Sequence, residues 1–367
     1  MPRKIAILGA GNGGLAAAGH GCLAGCEVRL FNRSPRRLEP LLHRGGFEID
    51  GVLGKGFVQP AVITGDVGEA VSGAELIMVA VPASGHAYYA GLLGEHLTDG
   101  QSVLLNPGST GGALHFSAAL RKMGVTGDVK IVETSTLTYI CRLTKPDQVS
   151  IYSIGRRIPA ASFPGKHTAS AVASWGFLYP GLAAARNVLE TSLNNINAVI
   201  HPPGVILNAG RIAVTGGDFY YYYEGFPPDL ARVVEVLDEE RLALGRALGL
   251  SLPAFVALFH QVGSTSDAAL TGGTVAGAML ESAPNRWIKA PGDFQHRYLS
   301  EDIPYGLVPM AELAGLAGVS TPVVDGLIAL ASALSARNYR AEGLTLERMG
   351  LDGLSLAEIP AFLAEGY

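Results

Sequence analysis

The sequence is short of cysteine, of charge and of long uninterrupted apolar runs. Its three cysteines, Cys22, Cys26 and Cys141, are too few and too odd in number for a disulfide framework. No further ligands stand near Cys22 and Cys26 to complete a zinc site, so no metal is expected. We therefore expect a protein of the reducing cytoplasm.

The charge balance is mildly acidic. Charged residues make up 16% of 367 residues, with Lys+Arg 27 against Asp+Glu 32 and a formal net charge of -5. Without a basic cluster, this balance argues against nucleic acid as the main partner. The hydrophobic share of 48% excludes general disorder. At roughly 100–200 residues per domain, the length predicts two domains.

No apolar run is uniform enough for a membrane span. The stretch behind Arg3 and Lys4 has the charge order of a signal peptide, but Asn12 and several glycines interrupt it. Residues 168–185 carry no charge, yet they contain Pro180, two serines and two glycines. We expect a soluble protein without a membrane partner. The sequence gives no view of the oligomeric state, and a homodimer stays an open expectation.

Glycine, by contrast, is abundant, with 48 residues. An apolar strand at 4–8 leads into a G-x-G-x-x-G motif made of Gly9, Ala10, Gly11, Asn12, Gly13 and Gly14. An alanine-rich helix and a second strand at 27–31 complete a β-α-β unit. Gly9 would allow the tight turn, Gly11 the approach of a pyrophosphate, and Gly14 the close packing of helix and strand. The order predicts a dinucleotide site at the helix N-terminus.

The end of the second strand bears on the choice of cofactor. An NAD site usually has Asp or Glu there, to accept hydrogen bonds from the ribose hydroxyls. This chain has Asn32 and then Arg33. That pair favours the 2′-phosphate of NADP(H), through charge-assisted contacts from Arg33 and Arg37. In the alternative interpretation, Arg36 and Arg37 are solvated charges on the next helix, and NAD(H) stays possible.

Strands and helices continue to alternate through the amino-terminal half. Apolar strands are predicted at 74–82, 102–108 and 129–133. Because ligands of open α/β sheets bind at the carboxyl ends of strands, we assign Val81, Pro82 and Pro107 to the cofactor site. Ordinary turn chemistry is the alternative for these strand ends.

The fold class follows from this alternation of strands and helices and from the residue at which the alternation stops. Residues 1–188 are predicted to form an α/β Rossmann domain with a doubly wound, mostly parallel sheet. From about Leu189 the spacing of apolar residues is helical, with helices predicted near 204–214, 228–249, 310–317, 322–335 and 356–364. We therefore expect an all-α domain at 189–367.

One histidine stands out in the second domain. Several dehydrogenases of this layout use a lysine in the helix that opens that domain, but residues 190–207 contain none. They contain His201, followed by two prolines. We predict that His201 lies at a break between helices, where an imidazole can be directed at a cleft. A cap or a hydrogen-bonded core histidine is the structural alternative, as helix capping is for Glu301.

Several motifs together resemble the opine dehydrogenases of the octopine/nopaline dehydrogenase family. They are the glycine motif, Asn106-Pro107-Gly108, residues 133–142 (ETSTLTYICR), residues 197–202 (NAVIHP), and Glu301-Asp302 before Gly306-Leu307-Val308-Pro309. The resemblance covers nearly the whole chain. It implies a Rossmann domain followed by a helical opine domain. It also implies that an amino acid and a 2-oxo acid, commonly pyruvate, are condensed reductively with NADH or NADPH.

The resemblance implies roles for individual residues as well. His201 would be the acid/base, held and charged by Asp302, and Arg297 would bind the carboxylate of the 2-oxo acid. Thr136 and the backbone around Cys141 would line the substrate. These roles are chemically consistent, because a carbonyl or imine that accepts hydride needs a proton. A partnered carboxylate raises a histidine pKa and fixes its tautomer, and arginine binds carboxylates bidentately.

Two other functions stay open. The missing lysine disfavours another two-domain nicotinamide dehydrogenase, acting on a 3-hydroxy acid, ketopantoate or a glycerol phosphate. A non-catalytic NADP-binding sensor would not need the candidate catalytic side chains. The amino-acid substrate is also open. Residues 220–223, Phe226 and Trp287 form either an aromatic wall for it or part of the core.

Overall fold

A computed structural model describes residues 2–367, which divide into two compact units. The first unit comprises the residues up to Gly108, Gly112–Val188 and Ala361–Tyr367, and the second comprises Ser109–Gly111 and Leu189–Pro360. The first unit is α/β and the second is helical, as the sequence predicts. Of the helices described, none combines the length and apolar character that a membrane crossing requires.

The units differ from the predicted ranges 1–188 and 189–367 in two short segments. At the carboxyl end, the Phe362 and Tyr367 rings lie 5.1 Å and 5.7 Å from the Phe163 ring of the first unit. At the other segment, the Gly111 amide donates a 2.9 Å hydrogen bond to the Ser192 hydroxyl of the second unit. These contacts join residues 361–367 to the first unit and residues 109–111 to the second, and the order of the sequence does not reveal them.

The strands lie in the first unit and are apolar where they are covered on both faces. They are β1 (Lys4–Leu8), β2 (Glu27–Phe31), β3 (Phe47–Gly51), β4 (Gly56–Val58), β5 (Val62–Thr64), β6 (Leu76–Val79), β7 (Ser102–Leu105), β8 (Lys130–Thr134), β9 (Tyr139–Lys145), β10 (Gln148–Ile154), β11 (Ile158–Phe163) and β12 (Leu182–Ala184).

Within residues 2–367, eight of these strands form one sheet in the order β12-β11-β8-β7-β6-β1-β2-β5. Its neighbours pair in parallel, except β11 with β8. Strand β1 lies between β2 and β6, so the chain winds away from it in both directions. This reversal is the switch point at which doubly wound sheets bind nucleotides. The predicted doubly wound, mostly parallel sheet is confirmed.

A second sheet, in the order β4-β3-β10-β9, was not predicted. Its β9–β10 hairpin contains register shifts, and β10 pairs in parallel with β3 from far back in the sequence. The sheet packs on the first helix, where a Cβ at Gly19 would lie 2.7 Å from the Ile49 side chain. Irregular pairing between distant segments leaves little periodicity in the sequence.

The helices follow in chain order. In the first unit they are α1 (Asn12–Leu23), α2 (Pro35–Arg44), α3 (Val67–Val71), α4 (His86–Gly94), α5 (Gly112–Lys122) and α6 (Thr168–Trp175), with α7 (Val188–Leu193) leading into the second. There follow α8 (Ile196–Ile206), α9 (Ala209–Thr215), α10 (Tyr221–Glu224), α11 (Pro228–Ala247), α12 (Phe255–Gln261), α13 (Asp267–Gly272), α14 (Val275–Leu280), α15 (Arg297–Ser300), α16 (Val308–Ala317), α17 (Pro322–Ser335), α18 (Tyr339–Glu342) and α19 (Ile359–Glu365).

Buried charges on α11 organise the second unit. Arg241 is fully buried and bonds Asp238 at 2.7 Å and the carbonyl of Leu193 at 3.0 Å. Glu240 accepts hydrogen bonds from the amides of Val323 and Val324, at the start of α17. These charges are satisfied inside the unit, so α11 fixes elements that are distant in sequence.

Candidate active site

The glycine motif forms the turn from β1 into α1. Gly9 has a φ of +114°, and a Cβ there would lie 2.6 Å from the Ala80 oxygen. A Cβ at Gly14 would lie 1.7 Å from the oxygen of Gly9, so neither glycine can be replaced without a shift of the backbone. By contrast, nothing lies within 4 Å of a Cβ built on Gly11. Among the described residues, no side chain caps the first turn of α1. Open space beside uncapped amides fits a pyrophosphate.

Two side chains beyond β2 hold this turn. The Ala10 amide donates to Asn32 Oδ1 at 3.0 Å, and Arg37 Nε donates to the Ala10 carbonyl at 3.0 Å. The Asn32 amide nitrogen also donates to the Ser34 carbonyl at 3.3 Å. Asn32 and Arg37 therefore position the loop, a role that the sequence did not reveal.

Arg33 is placed differently. It is exposed, and its guanidinium carbon lies 5.1 Å from the centre of the Tyr88 ring. Residues 32–37 (NRSPRR) contain no carboxylate. The chemistry at the end of β2 is thus that of an amide and cations, which fits a phosphate better than a pair of ribose hydroxyls.

The start of α1 is tied to the segment that follows β8. Asn12 Oδ1 accepts a 2.8 Å hydrogen bond from the Leu143 amide. A Cβ at Gly13 would lie 2.8 Å from the Leu137 side chain. Asn12 and Gly13 thus contribute to the shape of the loop, beside any contact with a cofactor.

The other predicted cofactor residues lie directly after strands. Val81 is half-buried and Pro82 exposed after β6, and Pro107 is half-buried after β7. The neighbouring Asn106 is buried, and its amide donates to the Thr138 hydroxyl at 2.8 Å and accepts from the Thr138 amide at 3.0 Å. This amide fixes the loop between β8 and β9.

Thr136 and Cys141 have unlike surroundings. Thr136 is half-buried in that loop, whereas Cys141 lies in β9 within the hydrophobic core, only 1% exposed. Burial raises the pKa of the Cys141 thiol to about 12, so the thiol stays protonated. The thiol itself offers no surface to a substrate, and the contact predicted for the backbone around it stays a prediction.

His201 lies inside α8, which contradicts the predicted break between helices. The helix continues through two consecutive prolines, although these lack the N–H groups that an α-helix uses. Most of α8 is buried, and the Tyr221 hydroxyl donates to the carbonyls of Ile200 at 3.2 Å and His201 at 2.7 Å. Packing and these hydrogen bonds stabilise the helix where local preference would end it.

Both ring nitrogens of His201 are hydrogen-bonded. Nδ1 lies 2.7 Å from Asp302 Oδ2, and Nε2 lies 2.9 Å from the Tyr222 hydroxyl. The Tyr298 ring is stacked on the imidazole, with 3.7 Å between centres and 14° between planes. His201 is 6% exposed and Asp302 4% exposed. The structure therefore brings the two predicted catalytic residues into contact and adds two tyrosines to them.

The aromatic cluster divides into a buried and an exposed part. Tyr221, Tyr222 and Phe226 are buried around His201. Burial raises the pKa of both tyrosines well above the ordinary value, so both remain neutral phenols. Trp287 is 66% exposed and lies beneath the guanidinium of Arg286. The cluster is thus neither a uniform wall nor a uniform core.

Arg297 stands near this group and is accessible. It begins α15, its side chain is 55% exposed, and it forms a 2.9 Å ion pair with buried Glu301. His296 caps the same helix by accepting a hydrogen bond from the Tyr298 amide at 3.3 Å. The helix therefore presents one guanidinium to solvent beside the histidine–carboxylate pair.

The contacts that Tyr222 and Tyr298 make with His201, and that Asn106 makes with Thr138, are not predicted by the sequence analysis. Four tyrosines follow one another at 220–223, and nothing in the sequence distinguishes the one that meets His201. Across residues 2–367, no group of three or more His, Cys, Asp or Glu side chains is placed to hold a metal ion.

Comparison with known families gives two matches. The family model for the alpha-helical domain of NAD/NADP octopine/nopaline dehydrogenase matches residues 184–335. A model described as NADP oxidoreductase, coenzyme F420-dependent, matches residues 4–104. The second match covers the glycine motif and the strands around it.

Individual proteins agree with these models. The chain is 37% identical to an opine dehydrogenase of Arthrobacter sp. (strain 1C), over 97% of this chain and 98% of that protein. A structure of octopine dehydrogenase with NADH and L-arginine superimposes with a TM-score of 0.79, at 21% identity, over 100% of this chain and 98% of that one. Another, with NADH and pyruvate, gives a TM-score of 0.76 at 22% identity, over 97% of each chain. These two structures establish the likeness of fold.

Proposed function

This chain belongs to the opine dehydrogenase family, and on that premise we propose that it joins an amino acid to pyruvate with NADPH, using His201 and Asp302 as its acid/base pair. As a member of the family it is an NAD(P)-dependent oxidoreductase that acts on CH–NH groups and serves opine synthesis. The observation that carries the proposal is the buried 2.7 Å contact between His201 Nδ1 and Asp302.

The acid/base role follows from that contact. A carboxylate accepts a hydrogen bond from Nδ1–H, which leaves Nε2 as the nitrogen that gains and loses a proton. The negative charge also stabilises the imidazolium in surroundings where it would otherwise be costly. When bound, the nicotinamide supplies the hydride. His201 then supplies the proton that the reduced substrate nitrogen requires.

Arg297 is proposed to bind the carboxylate of the oxo acid. Its guanidinium is exposed and can form two parallel hydrogen bonds to a carboxylate. Glu301 holds the arginine side chain and neutralises part of its charge. Pyruvate is proposed because the octopine dehydrogenase of similar fold has been solved with it.

Thr136 and the backbone around Cys141 are proposed to line the substrate. The Thr136 side chain is half-buried, in a loop that Asn106 holds through Thr138. A loop fixed by a buried amide can present a hydroxyl in one orientation. A hydroxyl held in one orientation can select one oxo acid over others.

NADPH is proposed over NADH because of the end of β2. Asn32 uses its amide to hold Ala10, and no neighbouring carboxylate accepts ribose hydroxyls. Arg33 is exposed and its guanidinium lies over the Tyr88 ring, where it can reach a 2′-phosphate. Residues 9–14 would cradle the pyrophosphate, with Val81, Pro82 and Pro107 beside the rest of the cofactor.

A crossed substrate assay tests the function. NADPH and NADH oxidation is followed with pyruvate, glyoxylate or 2-oxoglutarate, each against a panel of amino acids. The proposal expects oxidation that needs both an amino acid and pyruvate. Oxidation with an oxo acid alone would instead identify a hydroxy-acid dehydrogenase.

The His201→Ala variant tests the acid/base role in the same assay. Its kcat should fall at least about 10²-fold, because general acid–base groups contribute on the order of 10²–10⁴-fold. The affinity for NADPH, measured by fluorescence titration, should stay nearly unchanged. Full turnover in this variant, or a large loss of NADPH binding, would contradict the assigned role.

A further inference from the structure

The nitrogen of His201 that would exchange protons is already engaged by a tyrosine. Nδ1 faces Asp302, and Nε2 lies 2.9 Å from the Tyr222 hydroxyl. We propose that Tyr222 is a catalytic residue, which passes the proton between His201 Nε2 and the substrate nitrogen. The inference rests on the proposed acid/base role of His201.

The hydrogen-bonding pattern permits this transfer in either direction. When His201 is neutral, its Nε2 lone pair accepts from the phenol. When His201 is charged, Nε2–H donates to the phenol oxygen, and the phenol proton can turn to a substrate or to the Tyr298 side chain, with which Tyr222 is also hydrogen-bonded. Because hydroxyl protons rotate, Tyr222 can change from donor to acceptor without moving its ring.

The transfer itself is balanced. The Tyr222 O–H bond breaks as its proton forms an N–H bond with the imine nitrogen that receives hydride at carbon. At the same time the His201 Nε2–H bond breaks, and its proton restores the Tyr222 O–H bond. His201 ends neutral and Tyr222 is unchanged, so the net donor is the imidazolium. No oxidant or reductant besides the nicotinamide is involved.

The contact at Nε2 favours transfer through Tyr222 over direct transfer from His201. Both side chains are 6% exposed, and Tyr298 is stacked on the imidazole at 3.7 Å. A substrate that reached Nε2 directly would have to displace the Tyr222 hydroxyl, which is buried as well. Breaking that contact would cost the two buried groups a hydrogen bond.

Burial also keeps the phenol in the form that a relay needs. It raises the pKa of Tyr222 well above the ordinary value, with Tyr298 and Asp302 adding to the effect. The side chain is therefore a neutral donor at rest and not a phenolate. A strong phenolate base at this place would trap the proton.

The test compares Tyr222→Phe with the wild type. We expect kcat to fall about 10²-fold while KM for both substrates changes less than about threefold. Tyr339→Phe is the matched control, because it removes the hydroxyl of another buried tyrosine of the same unit. Its kcat should equal that of the wild type. Thermal melting and NADPH binding show whether each variant is folded.

A second variant distinguishes a relay from mere orientation of the ring. Tyr222→Gln can still donate a hydrogen bond to Nε2, but an amide cannot pass a proton on. If Tyr222 only orients His201, the Gln variant should recover activity that the Phe variant loses. The proposal expects no recovery. Single-turnover rates in mixtures of H₂O and D₂O should show two protons in flight for the wild type.

The outcomes separate this proposal from the acid/base assignment. A Tyr222→Phe enzyme with kcat within about twofold of wild type, or with lowered KM and raised kcat, would overturn the relay. The second pattern would mean that Tyr222 occupies Nε2 only until substrate displaces it. If His201→Ala is inactive while Tyr222→Phe is active, only the relay fails. If His201→Ala keeps turnover, both assignments fail.

Discussion

Replacing Asp302 with asparagine removes one negative charge from beside His201 while keeping nearly the same shape. At 2.7 Å and an effective dielectric of 20, the attraction between carboxylate and imidazolium is about 6 kcal/mol. Desolvation of the pair and the dipole of the new amide offset part of that attraction, and breaking a buried ion pair costs about 3–5 kcal/mol in total. The lower value of ~3 kcal/mol predicts a fall in kcat of about 10²-fold.

The measurement is kcat for the condensation at saturating cofactor, with Asp325→Asn as the matched control. Asp325 forms an exposed ion pair with Arg340 on the surface, and exposed pairs contribute little. Its variant should therefore match the wild type in kcat. An Asp302→Asn enzyme that retains kcat within about threefold would refute the reasoning, because the carboxylate would then not stabilise the charged histidine.

The remaining predictions concern cofactor choice and acid stability. Asn32→Asp combined with Arg33→Ile should shift the ratio of kcat/KM toward NADH, because aspartate accepts ribose hydroxyls and repels a 2′-phosphate; an unchanged ratio would contradict the phosphate assignment. Burial lowers the pKa of His86 to about 3. Between pH 6.5 and pH 3 only the unfolded chain therefore gains the proton, and the free energy of unfolding decreases as the pH is lowered. The loss in the free energy of unfolding from pH 7 to pH 5 is about 2 kcal/mol. Urea unfolding should show that His86→Leu abolishes this loss and that His43→Leu, a control at an exposed histidine, retains it. An equal loss of unfolding free energy in the wild type and both variants would contradict the role of His86.

The turn made by the glycine motif was predictable because its requirements are mostly local. Gly14 lies against the backbone of Gly9 within the same β-α-β unit, where even one added carbon would collide, whereas the contact of Gly9 with Ala80 reaches outside the unit. The parallel strands were predictable for a related reason. A strand covered on both faces must be apolar throughout, and such runs are visible in a single sequence.

The features that were missed depend on contacts between distant residues. The second sheet pairs β3 with β10 across about a hundred residues, and register shifts blur its alternation. His201 was assigned to a helix break because two prolines follow it. The Tyr221 hydroxyl and burial of α8 reverse that local preference, and neither is visible in the segment itself.

The contacts of His201 also divide into one that the sequence suggested and one that it did not. The residue types of His201 and Asp302 suggested their pairing only through a family resemblance, because 101 residues separate them. Tyr222 was visible only as one member of the aromatic run at 220–223. Its contact with Nε2 depends on how α10 meets α8, and any of four adjacent tyrosines could have made it.

The discontinuity of the first unit affects how the protein is made. Phe163 is covered by Phe362 and Tyr367, and Lys166 pairs with Glu365 at 3.2 Å. During synthesis, the core of the first unit therefore closes only after residues 361–367 have been made. Deletion of residues 361–367 should disturb this unit, although most of its chain is made much earlier.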